Sequence, residues 1–190
     1  MELAQQWYAW RGVSGMLLDV GLFAFLLACG VTDFRAHKIY NKLTFPALFV
    51  AVALHGIHGG ISGLGVSAAG FGSTFGIFIL LWIVGAMGGG DLKFMSVVGA
   101  FFAFPLSLWA IFYALLGAGV TAVAVMIAER RLLETFRRIG RTVYTFVVPG
   151  LATELPSKED SPKIPFAVGA GCGAVATWIL AALGRLGPLR

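Results

Sequence analysis

The amino-acid sequence predicts an all-α polytopic membrane protein, a bundle of about six transmembrane helices. Its 190 residues are 58% hydrophobic and only 12% charged, which is about half the charged fraction of a typical soluble domain. The mean hydropathy of +0.88 is too high for polar groups to cover the surface, so lipid must be the solvent. The 26 glycines agree with this class, because glycine is frequent in membrane helices, where it lets backbones approach closely.

Six hydrophobic runs account for the predicted helices, since crossing a bilayer takes roughly 20 apolar residues. The runs predict spans at about 14–32, 43–60, 66–87, 92–104, 106–127 and 164–184. The fourth span is short and is separated from the fifth by Pro105, which is expected to break one very long helix into two. We therefore expect the fourth helix to sit among its neighbours or to end below the membrane surface.

Positive charges predict the orientation of the bundle. Of the 14 Lys and Arg residues, all but Arg11, Arg185 and Arg190 lie in the loops that follow spans one, three and five. Because cytoplasmic loops carry an excess of Lys and Arg, these loops are predicted to be cytoplasmic and both termini to be outside. The net charge of +5 resides in loops between apolar runs, so no nucleic-acid partner is predicted.

The longest basic stretch, residues 129–163, forms the predicted cytoplasmic loop before the last span. In its first half, apolar residues recur at helical spacing with arginines between them. This pattern is typical of an amphipathic helix on a membrane surface, attracted to anionic lipid. Membrane lipid is therefore the predicted partner of the loop, and a docking surface for a partner protein is the alternative.

Acidic residues inside or at the ends of spans are costly in lipid and are candidates for function. Asp33 closes the first span, and Asp91 follows a run of glycines at the end of the third. The chain crosses the membrane twice between them, so both carboxylates lie on the same side and could meet. His37, one helical turn from Asp33, is a candidate to tune it, whereas Asp19 is expected to reach the outer interface.

Two neighbouring carboxylates in a poorly hydrated site share one proton. The ionised member can take a proton from water while the protonated member hydrogen-bonds a substrate carbonyl, which is general acid–base hydrolysis of a peptide bond. Glycines beside Asp91 would let a substrate strand approach closely. The roles of the two aspartates stay open, because coupled groups titrate as a pair. This chemistry needs no metal or organic cofactor, and Cys29 and Cys172 form no CxxC pair.

Three segments give the sequence a resemblance to the type IV prepilin peptidases, membrane aspartic peptidases of the GxGD class. GGGDLK at 88–93 resembles the family's GxGDxK, and DFR at 33–35 followed by IYN at 39–41 resembles its first aspartate motif. KIPFA at 163–167 resembles the start of its last helix. The likeness extends from about residue 15 to residue 184, with Tyr40 standing where the family usually has proline.

The resemblance implies a single membrane peptidase domain over residues 1–190, located in the inner (cytoplasmic) membrane with its active site facing the cytoplasm. Its substrates would be type IV prepilins or pilin-like subunits, cut between a short basic leader and a hydrophobic helix. Larger members have an extra N-terminal region with paired CxxC motifs and N-methylate the trimmed pilin. This sequence shows no such region, so we expect a peptidase without methyltransferase activity. The implied catalytic pair is Asp33 and Asp91, and the implied site-shaping residues are Gly88, Gly90 and Asn41. Lys93 and Arg35 are further candidates, which either hold the local geometry of the site or anchor the chain at the membrane interface. A local role is favoured for Lys93, two residues after Asp91, and interface anchoring is favoured for Arg35.

Other classes of protein also place acids in membranes. A proton-coupled transporter could use Asp33 and Asp91 as a relay, although we find none of the internal repeats that such proteins usually carry. A non-catalytic scaffold for pilus assembly is a second alternative. A presenilin-like intramembrane protease shares GxGD, but it typically has tyrosine before its first aspartate, where this sequence has Thr32.

Overall fold

A computed structural model describes residues 13–130 and 165–186 of the chain. Over these residues it contains no strand, and its helices are α1 Val13–Ala36, α2 Asn41–Ile83, α3 Gly89–Phe102, α4 Leu106–Ala128 and α5 Phe166–Ala182. The basic loop predicted at 129–163 lies outside the described residues except for its first two, so its amphipathic helix stays a prediction.

Three of these helices, α1, α2 and α4, are long and apolar enough to cross a membrane. This confirms the all-α membrane class that composition and hydropathy predict. The count of six spans and the placement of both termini outside are not decided by helix length, and they stay predictions.

The long helix α2 folds back on itself at Gly60. A straight helix of its 43 residues would be about 65 Å long, about twice the thickness of a bilayer core. Gly60 has non-helical angles, φ 56° and ψ −136°, which a residue without Cβ adopts readily. Beyond it, Gly63 lies against the carbonyl of His55 and Gly56 against the side chain of Leu64. Residues eight apart on a straight helix rise about 12 Å and cannot touch in this way, so the gap predicted between the second and third spans is a sharp bend.

The short helix α3 occupies the centre of the bundle. Leu92 and every residue from Phe94 to Phe102 are buried, so the under-length fourth helix does sit among its neighbours. Helix α3 begins at Gly89, whereas the predicted span begins at 92. Pro105 separates α3 from α4, as the sequence predicts. This central position explains how a helix of only 14 residues is accommodated in the bundle, because neighbouring helices rather than lipid surround most of it.

Close approach of small residues holds α3 and α5 against their neighbours. A Cβ added at Gly99 of α3 would overlap the Thr74 side chain and the Gly70 carbonyl of α2. A Cβ at Gly173 of α5 would likewise overlap the carbonyl of Tyr113 in α4. Without side chains at these crossings the backbones pack directly, as small residues permit in membrane bundles.

Asp19 connects α1 to α5 within the bundle. The indole Nε1 of Trp178 donates a hydrogen bond of 2.7 Å to Asp19 Oδ1, and the Phe23 ring packs edge-to-face on Trp178 at 5.2 Å between centroids. The sequence predicts only that this carboxylate reaches the outer interface. The structure adds that a side chain of the last helix donates a hydrogen bond to it. Asp19 does not line the cavity described next.

Candidate active site

Asp33 lies on the last turn of α1 and is 5% exposed. Its Oδ2 accepts a hydrogen bond of 2.7 Å from the backbone N–H of Ala167. Ala167 is in the first turn of α5, where N–H groups have no partner within the helix and the helix dipole favours a negative charge. The start of the last helix, which KIPFA marks in the sequence, therefore supplies a hydrogen-bond donor to Asp33. Lys163 and Ile164 of that segment lie outside the described residues.

Asp91 lies in the first turn of α3, and its own backbone orients its carboxylate. The N–H of Gly88 donates a hydrogen bond of 3.2 Å to Asp91 Oδ2, which is one half of a capping box. A Cβ at Gly88 would lie only 3.2 Å from the same oxygen, so glycine leaves room for the carboxylate. At Gly90 a Cβ would make ordinary contact with Ile39, 3.5 Å away.

The two aspartates line one cavity of about 580 Å³ between the end of α1 and the start of α3. They are 58 positions apart in the sequence, and the loop from α1 to α2 forms much of the remaining wall. The lining residues are Asp33, His37, Lys38, Ile39, Tyr40, Asn41, Lys42, Gly88, Gly90 and Asp91. Of the predicted site residues, the structure thus brings Gly88, Gly90 and Asn41 to the same cavity as the aspartate pair.

Asp91 precedes the predicted fourth span and lies outside the three helices that are long and apolar enough to cross a membrane. Burial raises the pKa of its carboxyl to about 6, the Gly88 N–H opposes this rise, and the negative charge of Asp33 adds to it. A carboxyl that keeps its proton up to such pH can act as a proton donor, whereas an ordinary aspartate is ionised.

Lys93 reaches the cavity through a partner rather than directly. Its Nζ donates a hydrogen bond of 2.9 Å to Asn41 Oδ1, which joins the beginning of α3 to the first residue of α2. Asn41 lines the aspartate cavity, while the stem of Lys93 lines a small apolar pocket between α2 and α3 with Phe45 and Leu48. The hydrogen bond therefore connects α3, whose first turn carries Asp91, to the start of α2, where the α1–α2 loop ends.

Arg35 is not brought to the aspartate cavity. It follows Asp33 by two residues on α1, which places it about 200° around the helix, and it lines a different cavity, between α1 and α5. Of the two roles considered for Arg35, this placement is less suited to shaping the aspartate site, and anchoring at the membrane interface stays a prediction. Conversely, residue type alone does not identify the Ala167 N–H or the lysines Lys38 and Lys42 as site groups. The only signal for Ala167 was its place in KIPFA.

The type IV leader peptidase family matches residues 20–123 of the chain, a range that includes both aspartates. Among curated proteins, the prepilin leader peptidase/N-methyltransferase of Escherichia coli (strain K12) is 27% identical over 122 residues. This alignment covers 60% of the chain and 53% of that protein, so the chain spans about half the length of the curated relative it matches. No solved structure matches the chain at a significant level.

Proposed function

Because the chain belongs to the type IV leader peptidase family, we propose that it is a membrane aspartic endopeptidase that removes the short basic leader from type IV prepilins or pilin-like subunits. The name of its relative, a prepilin leader peptidase, supports the substrate class. The observation that carries the mechanism is the common cavity of Asp33 and Asp91.

In the proposed reaction Asp33 is the ionised member of the pair and Asp91 holds the shared proton. The short hydrogen bond from Ala167 at a helix N-terminus favours an anion at Asp33, and the raised pKa of Asp91 favours a neutral acid there. Asp33 takes a proton from a water molecule, whose oxygen attacks the scissile carbonyl. Asp91 hydrogen-bonds the carbonyl oxygen as negative charge develops on it, and the leaving amine receives the proton that Asp33 took.

We further propose that the aspartate cavity opens to the cytoplasm from the inner (cytoplasmic) membrane. Lys38 and Lys42 line the cavity and Lys93 lies beside it, so the cations that predict the cytoplasmic side cluster at the aspartate end. The bend at Gly60 divides α2 into two arms that each suit a span. The proposed topology is therefore six spans with both termini outside.

The test is leader cleavage of co-expressed prepilins by Asp33→Asn and Asp91→Asn variants. Each substitution keeps the side-chain size and removes the ability to hold or transfer the proton, so cleavage should fall by about 10²–10⁴-fold or more at unchanged membrane abundance. Asp19→Asn is the matched control, because it changes another aspartate of the bundle outside the cavity, and it should keep cleaving. Processing that survives either catalytic substitution contradicts the proposal, and proton-coupled flux would then be measured.

A further inference from the structure

A second cavity, of about 740 Å³, lies between α1 and α5. We refer to it as the α1–α5 groove. Its lining residues include Leu27, Gly30 and Phe34 of α1 and Ala167, Gly171 and Val175 of α5. Leu27 and Phe34 are each about 70% exposed, although both are large and apolar. Arg35, at its cytoplasmic end, is the charged residue among those that line it. The groove therefore presents an apolar surface to the membrane.

Two glycines, Gly30 and Gly171, line the groove and leave it without side chains at their positions. A Cβ added at Gly30 or at Gly171 would meet no atom within 4 Å, so neither glycine is explained by contact between α1 and α5. This differs from Gly173, where glycine lets α4 and α5 touch. Glycine in a helix costs about 1 kcal/mol relative to alanine, and it leaves space in which the backbone of another helix can approach closely.

The groove adjoins the aspartate cavity at the hydrogen bond between Asp33 and Ala167. Asp33 lines the cavity and the next residue, Phe34, lines the groove. Ala167 contributes its N–H to Asp33 and also lines the groove. A substrate polypeptide whose scissile bond lies at the aspartates can therefore continue into the groove within a few residues.

We propose that the α1–α5 groove receives the apolar membrane helix of the protein substrate, next to the bond that is cut. This inference rests on the proposed function, since it presumes a substrate anchored in the same membrane. The pocket between α2 and α3 that Lys93 lines is also apolar, but its volume is about 220 Å³, less than a third of that of the groove. A helix carries side chains on every turn and needs the larger space.

The first test fills the groove. Gly30→Leu and Gly171→Leu place a bulky side chain in open space, so the bundle can accept them, and they should raise KM for a full-length prepilin roughly tenfold with a smaller change in kcat. Gly72→Leu on α2 and Gly119→Leu on α4 are matched controls, because a Cβ there also meets nothing within 4 Å and neither residue lines the groove or the cavity. Controls should stay within about twofold of wild type.

The two proposals fail in distinguishable ways. If wild type cleaves the prepilin and all four leucine variants behave alike, the groove does not receive the substrate helix and only lipid occupies it. If wild type cleaves no prepilin at all, the proposed function itself fails.

The second test uses Cys172, which is exposed and lines the groove. Single cysteines placed along the apolar helix of a prepilin are cross-linked oxidatively to the uncleaving Asp91→Asn variant. Cross-links should recur every three to four positions, as one helix face meets the groove, and should vanish with Cys172→Ser. Cys29 has 0% exposure, so it adds no background. Absence of cross-links from every substrate position overturns the proposal.

Discussion

The hydrogen bond between Lys93 and Asn41 can be tested by removing each partner alone and then both together. Lys93→Met keeps the unbranched stem, which packs in the apolar pocket beside Phe45, and removes the ammonium donor. Asn41→Ala removes the acceptor at the first residue of α2. Because Asn41 lines the aspartate cavity and Lys93 follows Asp91 by two residues, losing the bond should loosen the loop wall relative to Asp91.

The magnitude follows from the geometry of the contact. A hydrogen bond that involves a charged group contributes about 1.5–3 kcal/mol, and at 2.9 Å this one has good length. Both side chains are exposed, so solvent screening lowers the value towards about 1 kcal/mol. That corresponds to a loss of roughly fivefold in kcat/KM for either single variant.

The assay is the initial rate of prepilin cleavage by the purified variants, analysed as a double-mutant cycle. If the two residues act through their bond, the double variant should also lose roughly fivefold, and not roughly 25-fold as independent effects would. Lys93→Arg is the matched control, since it retains a charged donor and should keep most of the activity. Losses that simply multiply in the double variant would refute the coupling.

Three further predictions concern the aspartates and the helix crossings. Asp91 loses its proton as pH rises through about 6, so the cleavage rate should fall on the alkaline side of this value; a pH–rate profile that is flat up to pH 9 would argue against Asp91 as the donor. Ala167→Pro removes the N–H that donates to Asp33 and puts a ring carbon in its place, so the Asp33 carboxylate must move. The kcat should fall by at least about 10–100-fold, whereas full activity would show that the bond is dispensable. Gly99→Ala should destabilise the bundle by about 1–3 kcal/mol through overpacking, seen as a lower Tm in detergent, whereas Gly72→Ala should not; equal Tm values would contradict the close crossing.

The membrane class and much of the site could be predicted from the sequence, because they depend on local properties. Hydropathy over roughly 20 residues decides whether a segment is stable in lipid, and the break at Pro105 needs only the covalent structure of proline. The position of Asp33 and Asp91 at the ends of spans an even number of crossings apart predicts that they meet, and the structure places both on one cavity. The resemblance to the prepilin peptidases is confirmed by the family match.

Other features depend on which backbones meet, and only the tertiary structure decided them. The donor to Asp33 is a backbone N–H of an alanine 134 positions away, and its side chain says nothing about hydrogen bonding. Lys93 has Asn41 as its partner because α3 packs against α2 at crossings such as Gly99. Arg35 follows Asp33 by only two residues but lines the groove, since helical geometry separates these two positions by about 200° around the helix. Sequence determined which residues are apolar, charged or free of side chains, whereas the packing of the helices determined which of them share a site.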